Sequence, residues 1–325
     1  MKRTLHFLQA LAATVGVVFF LHAGAASAAD EKKDLVLRGD AKCTRCHDEG
    51  YDYPVLAIGK TRHGVKADGR TPTCTSCHGE SERHVNKGDA AERPKPDVTF
   101  MGAGRSLPAA QNGQCLACHQ SDAKRSHWSG SVHEQRDVAC TNCHQVHTGH
   151  DNVRDKQTQP EVCFACHKEQ RTQVNKPSHH PIPEGKMACS DCHNPHGSVG
   201  PKLMKRDSVN DTCYTCHMEK RGPFVHVHEP VAEDCSNCHN PHGTTAENML
   251  KARPPFLCHQ CHTPHGANVA QLAGQGQTSA LLSPTTGGKS GINYTMARGC
   301  VNCHTQVHGT NNPSTTNPTP QFNFR

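Results

Sequence analysis

The chain contains one long run of apolar residues, and it lies near the N-terminus. Two basic residues precede an apolar stretch from Leu5 to Leu21, and Ala26-Ser27-Ala28 follows it. A basic start, an apolar segment and an A-x-A site are typical of a secretory signal. An N-terminal membrane anchor is the alternative, but the stretch is short for a span. We therefore expect residues 1–28 to be a cleaved Sec signal peptide.

Apolar positions in the rest of the chain occur only in short stretches, none long enough to cross a bilayer as a helix. The chain also contains 27 Gly and 21 Pro, which interrupt helices and strands. This share of Gly and Pro is below the level that indicates disorder. We expect short α-helices separated by loops, with little or no sheet.

The composition cannot supply an ordinary apolar core. Hydrophobic residues make up 34% of the 325 residues, aromatic residues 4%, and the mean hydropathy is -0.70. A chain of this length normally encloses a large core of aliphatic and aromatic side chains. Because 20 Cys and 27 His stand against this shortage, we expect a bound group held by these residues to fill the interior.

All 20 cysteines belong to ten C-x-x-C-H motifs. This motif is the attachment signature of c-type haem, in which two thiols bind the porphyrin and the adjacent His binds the iron. Zinc sites need no His after every second Cys, and a repeated two-residue gap followed by His is not a disulfide framework. The sequence therefore predicts ten covalently attached haem c groups. The tethering cysteines are Cys43, Cys46, Cys74, Cys77, Cys115, Cys118, Cys140, Cys143, Cys163, Cys166, Cys189, Cys192, Cys213, Cys216, Cys235, Cys238, Cys258, Cys261, Cys300 and Cys303. The proximal iron ligands are His47, His78, His119, His144, His167, His193, His217, His239, His262 and His304.

Enough histidines remain to provide a second, distal ligand for every iron. Five follow a proximal His by three or four residues, four precede a motif by seven to eleven residues, and one follows its motif by six. A His so close to a proximal His cannot reach the far face of the same haem, so it should bind a neighbouring haem. The predicted distal ligands are His63, His84, His133, His147, His180, His196, His228, His242, His265 and His308. His127, His150, His179 and His226 are left over, and His259 lies inside a motif. Two His ligands on every iron imply comparatively low potentials and no open position for a substrate.

The ten motifs form five tandem two-haem modules, which start near Cys43, Cys115, Cys163, Cys213 and Cys258. Each module contains a leading motif, an intervening His, a closing motif and a trailing His. Residues 29–325 offer about 30 residues per haem, too few to wrap each haem separately. We expect a single decahaem domain with the fold class of a multihaem cytochrome c. It should be mostly coil with short α-helices, built around an elongated, quasi-linear haem array.

The charge distribution adds two expectations. The formal net charge is +6, but the basic residues are scattered among acidic ones, and few aromatic residues lie between them. We therefore expect no nucleic-acid partner. No Asp or Glu occurs between Glu247 and the C-terminal Arg325. This region is either a polar linker or a part of the chain enclosed by a partner, where a carboxylate would be costly to bury.

Several longer strings of residues resemble those of a known family. They are the Asn-Pro-His-Gly segments at His196 and His242, the strings 210–214 and 219–223, and the closing string 303–309. Together with the ten motifs, they resemble the decahaem MtrA/DmsE family of c-type cytochromes, whose relatives include MtoA and PioA. The resemblance covers essentially the whole of the chain after residue 28.

The resemblance implies an electron conduit inserted in an outer-membrane β-barrel porin. Its partners would be periplasmic or inner-membrane c-type cytochromes on one side, and an extracellular multihaem cytochrome or a mineral surface on the other. Such a protein would serve Fe(II) oxidation or Fe(III) and other metal reduction, would lie on the periplasmic side of the outer membrane, and would not be an enzyme. A soluble periplasmic electron shuttle or store is the first alternative, and a multihaem reductase with one open haem is the second.

Overall fold

The computed structural model describes residues 40–65, 71–87, 91–262, 300–302 and 304–311. In these ranges the chain is mostly turns and loops with short helices and one two-stranded sheet. The α-helices are α1 (Ala41–Thr44), α2 (Cys74–His78), α3 (Glu82–Val85), α4 (Pro108–His119), α5 (Val132–Gln135), α6 (Gln159–Phe164), α7 (Lys168–Val174), α8 (Cys189–Cys192), α9 (Val209–Tyr214) and α10 (Glu229–Glu233). Short 3₁₀ helices lie at Val55–Lys60, Cys140–Asn142, Asn152–Arg154, Pro201–Leu203, Met218–Lys220, Cys235–Asn237, Glu247–Met249, Cys258–Gln260 and Cys300–Asn302. The described ranges confirm the expected short α-helices, abundant loops and small amount of sheet.

The proposed signal peptide, the tethering Cys303 and the distal candidate His265 lie outside the described residues. Within the described ranges, no helix combines the length and the apolar character that a membrane span requires.

The cysteine motifs coincide with helical turns because two residues three positions apart lie on one face of such a turn. The leading motif of the second module occupies the C-terminal part of α4, and that of the fourth begins near the end of α9, whereas closing motifs occupy single turns such as α2 and α8. Ser208 precedes α9, and its hydroxyl accepts a hydrogen bond of 3.0 Å from the backbone N–H of Asp211. Such an N-cap satisfies one of the free N–H groups of the first turn.

Buried apolar side chains are few in the described ranges and are spread along the chain. They are Val98, Trp128, Ala139, Phe164, Val174, Ala188, Met204, Val209 and Ala246. A similar number of polar residues is equally buried. This set is far too small to be the core of a domain of this length, in agreement with the expectation drawn from the composition.

The last described segment pairs with the fourth module through the two-stranded sheet. Strand β1 (His226–Val227) runs antiparallel to strand β2 (Gly309–Thr310), with His226 opposite Thr310 and Val227 opposite Gly309. The chain thereby places His308 beside the fourth module, although its own motif belongs to the fifth.

Candidate functional site

The first cysteines of the two motifs in each module lie side by side. Their thiols are within hydrogen-bonding reach in all five modules, at Cys43 and Cys74, Cys115 and Cys140, Cys163 and Cys189, Cys213 and Cys235, and Cys258 and Cys300. In the third module, the hydrogen bond from Cys163 lowers the pKa of the Cys189 thiol to about 7. Each module therefore brings the first cysteine of its leading motif next to the first cysteine of its closing motif.

The second cysteines connect one module to the next. Burial raises the pKa of the closing-motif thiols Cys143, Cys192 and Cys238, and the charge of the second cysteine in the following leading motif raises it further. Those neighbours are Cys166, Cys216 and Cys261. The pKa of Cys77 is raised in the same way, by burial and by Cys115 and Cys118. The motifs therefore follow one another in space in the order in which they follow one another along the chain.

Among the described residues, nine histidine pairs place one proximal candidate opposite one distal candidate. Their ring centroids are 5.9 to 6.3 Å apart. The pairs are His47–His84, His63–His119, His78–His147, His133–His167, His144–His196, His180–His217, His193–His242, His228–His262 and His239–His308. No histidine belongs to two of these pairs.

This separation fits an iron between the two rings. An imidazole nitrogen binds such a metal at about 2 Å and lies roughly 1.1 Å from its ring centre, so two ligands on opposite sides place their ring centres about 6.2 Å apart. The observed separations, from 5.9 Å for His63–His119 to 6.3 Å for His78–His147, bracket that value. The residues present therefore fit a haem with two axial histidines at each of the nine positions.

Consecutive modules exchange their distal histidines. The intervening His63 of the first module faces His119 in the leading motif of the second, and the trailing His147 of the second module faces His78 in the closing motif of the first. The same exchange relates the second module to the third, the third to the fourth, and the fourth to the fifth. At the N-terminal end, His84 faces His47 of its own module instead. Each internal module is thus held on both sides by side chains of its neighbours.

Hydrogen bonds at Nδ1 orient four of the distal candidates. The acceptors are backbone carbonyl oxygens at 2.7 to 2.8 Å, which belong to Pro94 for His84, Pro195 for His133, Val55 for His147 and Pro241 for His180. A carbonyl oxygen can only accept, so Nδ1 carries the proton and Nε2 keeps its lone pair. This is the arrangement that a metal-ligating imidazole requires.

The proximal histidines of four closing motifs are oriented in the same way. His78, His193 and His239 donate to the backbone carbonyls of Val98, Lys202 and Asn248 at 2.8 to 3.0 Å. His144 differs, because its Nδ1 donates to the carboxylate of Asp151 at 2.8 Å. A carboxylate acceptor makes an imidazole a stronger donor to a metal than a carbonyl does.

Burial favours the neutral form of several of the paired histidines. Burial lowers the pKa of His196 to about 4, and it also lowers the pKa of His78, His193 and His242. A neutral imidazole has a free nitrogen lone pair at neutral pH, whereas an imidazolium has none.

The glycine that follows a trailing histidine allows close contact with the preceding module. Gly197 has a φ of +109° and Gly243 a φ of +133°, both in the region that favours glycine. A Cβ on Gly197 would overlap the carbonyl oxygen of His127, and one on Gly243 would overlap that of Gln173. Asn194 and Asn240 accept hydrogen bonds from the backbone N–H groups of the histidines two positions on. The Asn-Pro-His-Gly segments therefore dock a distal candidate on the neighbouring module.

The four left-over histidines have other environments. His150 lies 3.5 Å from the carboxylate of Asp155, His179 contacts Glu184 at 3.2 Å, and His226 lies in β1. Within the described ranges, neither these three nor His127 faces a proximal histidine ring.

Two kinds of residue were missed by reading the sequence. The first is Asp151, which follows His144 by seven residues and has no counterpart at the same offset in other modules. The second is a buried polar residue three or four positions before a leading cysteine, at Asp40, Asn112, Gln159 and Asn210. Comparing the five modules position by position would have revealed the second.

Two family models match parts of the chain. The doubled CXXCH motif matches residues 179–222 and 228–267, and the cytochrome c-type protein NrfB-like family matches residues 74–158. The doubled unit begins at an intervening histidine and ends after the next leading motif, so it spans the junction between two modules. Both models agree with a chain that carries several haem c groups.

One relative decides the family. The multiheme cytochrome MtrA of Shewanella baltica is 43% identical over 284 residues, which cover 85% of this chain and 80% of that protein. The chain belongs to the MtrA family of multihaem cytochromes. The cytochrome c-type protein NrfB of Haemophilus influenzae is 33% identical over 34% of this chain and 52% of its own length. The high-molecular-weight cytochrome c of Nitratidesulfovibrio vulgaris is 24% identical over 52% of this chain and 28% of its own length.

Membership of the MtrA family confirms the resemblance stated from the motifs. It also supports haem c as the cofactor, because the relatives are named as cytochromes and the doubled C-x-x-C-H motif is shared.

Proposed function

We propose that this MtrA-family chain is a decahaem cytochrome that conducts electrons across the outer membrane from within a β-barrel porin. Residues 29–325 form its single domain of five modules, delivered to the periplasm by the signal at residues 1–28. The observation that carries the proposal is the spatial order of the motifs: in the described residues, cysteines of each motif lie beside cysteines of the next motif along the chain.

In this proposal, the cysteines attach the haems and the histidines ligate their irons. When bound, haem supplies a centre that takes up and releases one electron without making or breaking bonds. The paired thiols of each module would hold two haems close together, and each pair of imidazoles would hold one iron between its rings. We infer ten such centres, each with two histidine ligands, the tenth held by His304 and His265.

Two axial histidines on every centre leave no position for a substrate. A reductase that binds a small molecule at iron needs at least one open position, and the nine described pairs leave none at their sites. We therefore infer an electron-transfer protein rather than an enzyme.

The partners follow from the family and from the charge distribution. Similarity to MtrA supports an outer-membrane porin as the enclosing partner, and the acid-free region after Glu247 is suited to enclosure. We infer periplasmic or inner-membrane c-type cytochromes at one end, and an extracellular multihaem cytochrome or a mineral at the other. The same array serves Fe(II) oxidation and metal reduction, because an electron passes along it in either direction.

A proteoliposome assay tests the conduit. Vesicles that enclose a reducible dye are prepared with the porin alone, with this cytochrome alone, and with both proteins together. Dithionite added outside should bleach the dye rapidly only when both proteins are present. Equal bleaching with the porin alone, or no stable complex of the two proteins, would contradict the conduit and leave the soluble shuttle.

A further inference from the structure

A buried polar side chain connects the two motifs of each of the first four modules. It is Asp40, Asn112, Gln159 or Asn210, and each accepts a hydrogen bond from a backbone N–H at the start of the closing motif. The donors are Cys74, Cys140, Ser190 and Cys235, at 2.6 to 2.9 Å. In these four modules, the bond holds the first cysteines of the two motifs near each other.

In the second and fourth modules, the connecting residue is a neutral amide whose donor is also satisfied. The amide of Asn112 donates to the carbonyl oxygen of Val138 at 3.1 Å, and that of Asn210 donates to Val231 and Ala232 at 2.8 and 3.0 Å. Asn112 exposes only 5% of its surface and Asn210 only 6%. A buried amide with both ends paired adds no net charge to its surroundings.

Asp40 occupies the same position in the first module but carries a carboxylate. It is 2% exposed, and its Oδ1 accepts the 2.6 Å bond from Cys74. The nearby Lys42 instead pairs with Glu80 at 2.7 Å and Glu82 at 3.3 Å. In the described part of the chain, no basic side chain lies within ion-pair distance of Asp40.

The charge of Asp40 acts on both attachment sites of the first module. Burial raises the pKa of the Cys43, Cys74 and Cys77 thiols, and the negative charge of Asp40 raises each of them further. Because Asp40 precedes Cys43 by three residues and accepts the bond from Cys74, its carboxylate lies beside both motifs of the module.

We propose that Asp40 lowers the reduction potentials of the first two haems relative to those of the modules whose connecting residue is an amide. Reduction adds one electron to the iron and removes one unit of positive charge, so a nearby negative charge favours the oxidised form. A buried charge is screened by solvent and salt much less than a surface charge. Asp40 then makes the transfer of an electron from the first module to the second more favourable than a neutral connecting residue would.

This inference rests on the proposed attachment of haem at both motifs of the first module. The test uses the full-length holoprotein and three variants. Asp40→Asn keeps the acceptor and removes the charge, and Asn112→Asp introduces the charge at the matching position of the second module. Glu80→Gln removes a surface carboxylate from the first module, because 72% of the Glu80 side chain is exposed.

Potentials are measured by spectroelectrochemical titration, and haem content by intact mass. Asp40→Asn should shift the share of the titration that belongs to two of ten haems to higher potential, and Asn112→Asp should shift an equal share to lower potential. Glu80→Gln should produce a smaller shift that disappears at high salt.

An Asp40→Asn protein with its full haem content and an unchanged titration would overturn the inference. If that variant loses haem, Asn112→Asp decides, because an unchanged titration there overturns the inference equally. A wild-type mass without ten haems would instead refute the proposed function.

Discussion

The ring of His144 lies 6.0 Å from the ring of His196, with an angle of 9° between their planes. His144 ends the closing motif of the second module, and His196 trails the closing motif of the third. The distance leaves room for one iron between the two nitrogens, so the haem proposed for the second module would take its second ligand from the third. Repeated along the chain, this exchange makes the modules interdependent.

Replacing His196 with Ala should convert one haem of the ten to high spin. The expected reason is that the iron bound by His144 loses its second ligand while the other pairs are untouched. EPR spectroscopy of the oxidised protein measures the change. His127→Ala is the matched control, because His127 lies beside the same segment but faces no proximal ring among the described residues. A spectrum of His196→Ala identical to that of the control would remove His196 from the ligands.

Replacing Gly197 with Ala should displace His196 without removing it. A Cβ at this position meets the His127 carbonyl, and a positive φ costs a non-glycine residue on the order of 1–3 kcal/mol. We expect lower stability in denaturant unfolding together with a partial high-spin signal. Gly113→Ala is the control, since Gly113 lies inside α4 with open space around it and should tolerate Ala. Equal stability of the two variants would contradict the docking role of Gly197.

Replacing Asp151 with Asn should raise the potential of the haem bound by His144. The carboxylate at Nδ1 increases electron donation to the iron and so stabilises its oxidised form, and a neutral amide does this less. Redox titration of the holoprotein measures the shift. Asp155→Asn serves as the control, because Asp155 contacts the left-over His150. A titration that responds to both substitutions alike would indicate a general charge effect instead.

The most extreme angles between paired rings predict two distinguishable classes of low-spin EPR signal. The planes are nearly perpendicular for His63–His119 and His133–His167, at 86° and 82°, and nearly parallel for His239–His308, at 11°. The relative orientation of two axial imidazoles sets the splitting of the iron d orbitals and hence the signal. His63→Ala should reduce only the class from perpendicular planes, and His308→Ala only the class from parallel planes. The opposite assignment would contradict these ring orientations.

Much of the architecture could be predicted from the sequence because haem attachment is encoded locally. Cys74, Cys77 and His78 must lie within one helical turn, so the motif alone gives their positions. The candidates for distal ligands followed from counting and spacing. The spacing of three residues predicted that His147 does not ligate a haem held by His144, and the ring of His147 lies opposite that of His78 in the preceding module.

The pairing of the ligands could not be predicted because it depends on distances between modules. His133 faces His167 in the following module, whereas His147 faces His78 in the preceding one. No periodicity along the chain distinguishes these two directions. The same limit applies to the Nδ1 acceptors, since the carbonyls of Val55 and Pro195 carry no side-chain signal in the sequence.

The central claim is that this MtrA-family protein holds ten haems, each between two histidines. Intact mass counts the haems, and quantitative EPR with near-infrared magnetic circular dichroism of the same oxidised sample counts their spin states and identifies their ligands. We predict ten haems, all low-spin and all with the charge-transfer band of two histidine ligands. A single haem that is high-spin or bound by methionine would contradict the claim, and a high-spin haem would reopen the possibility of a reductase.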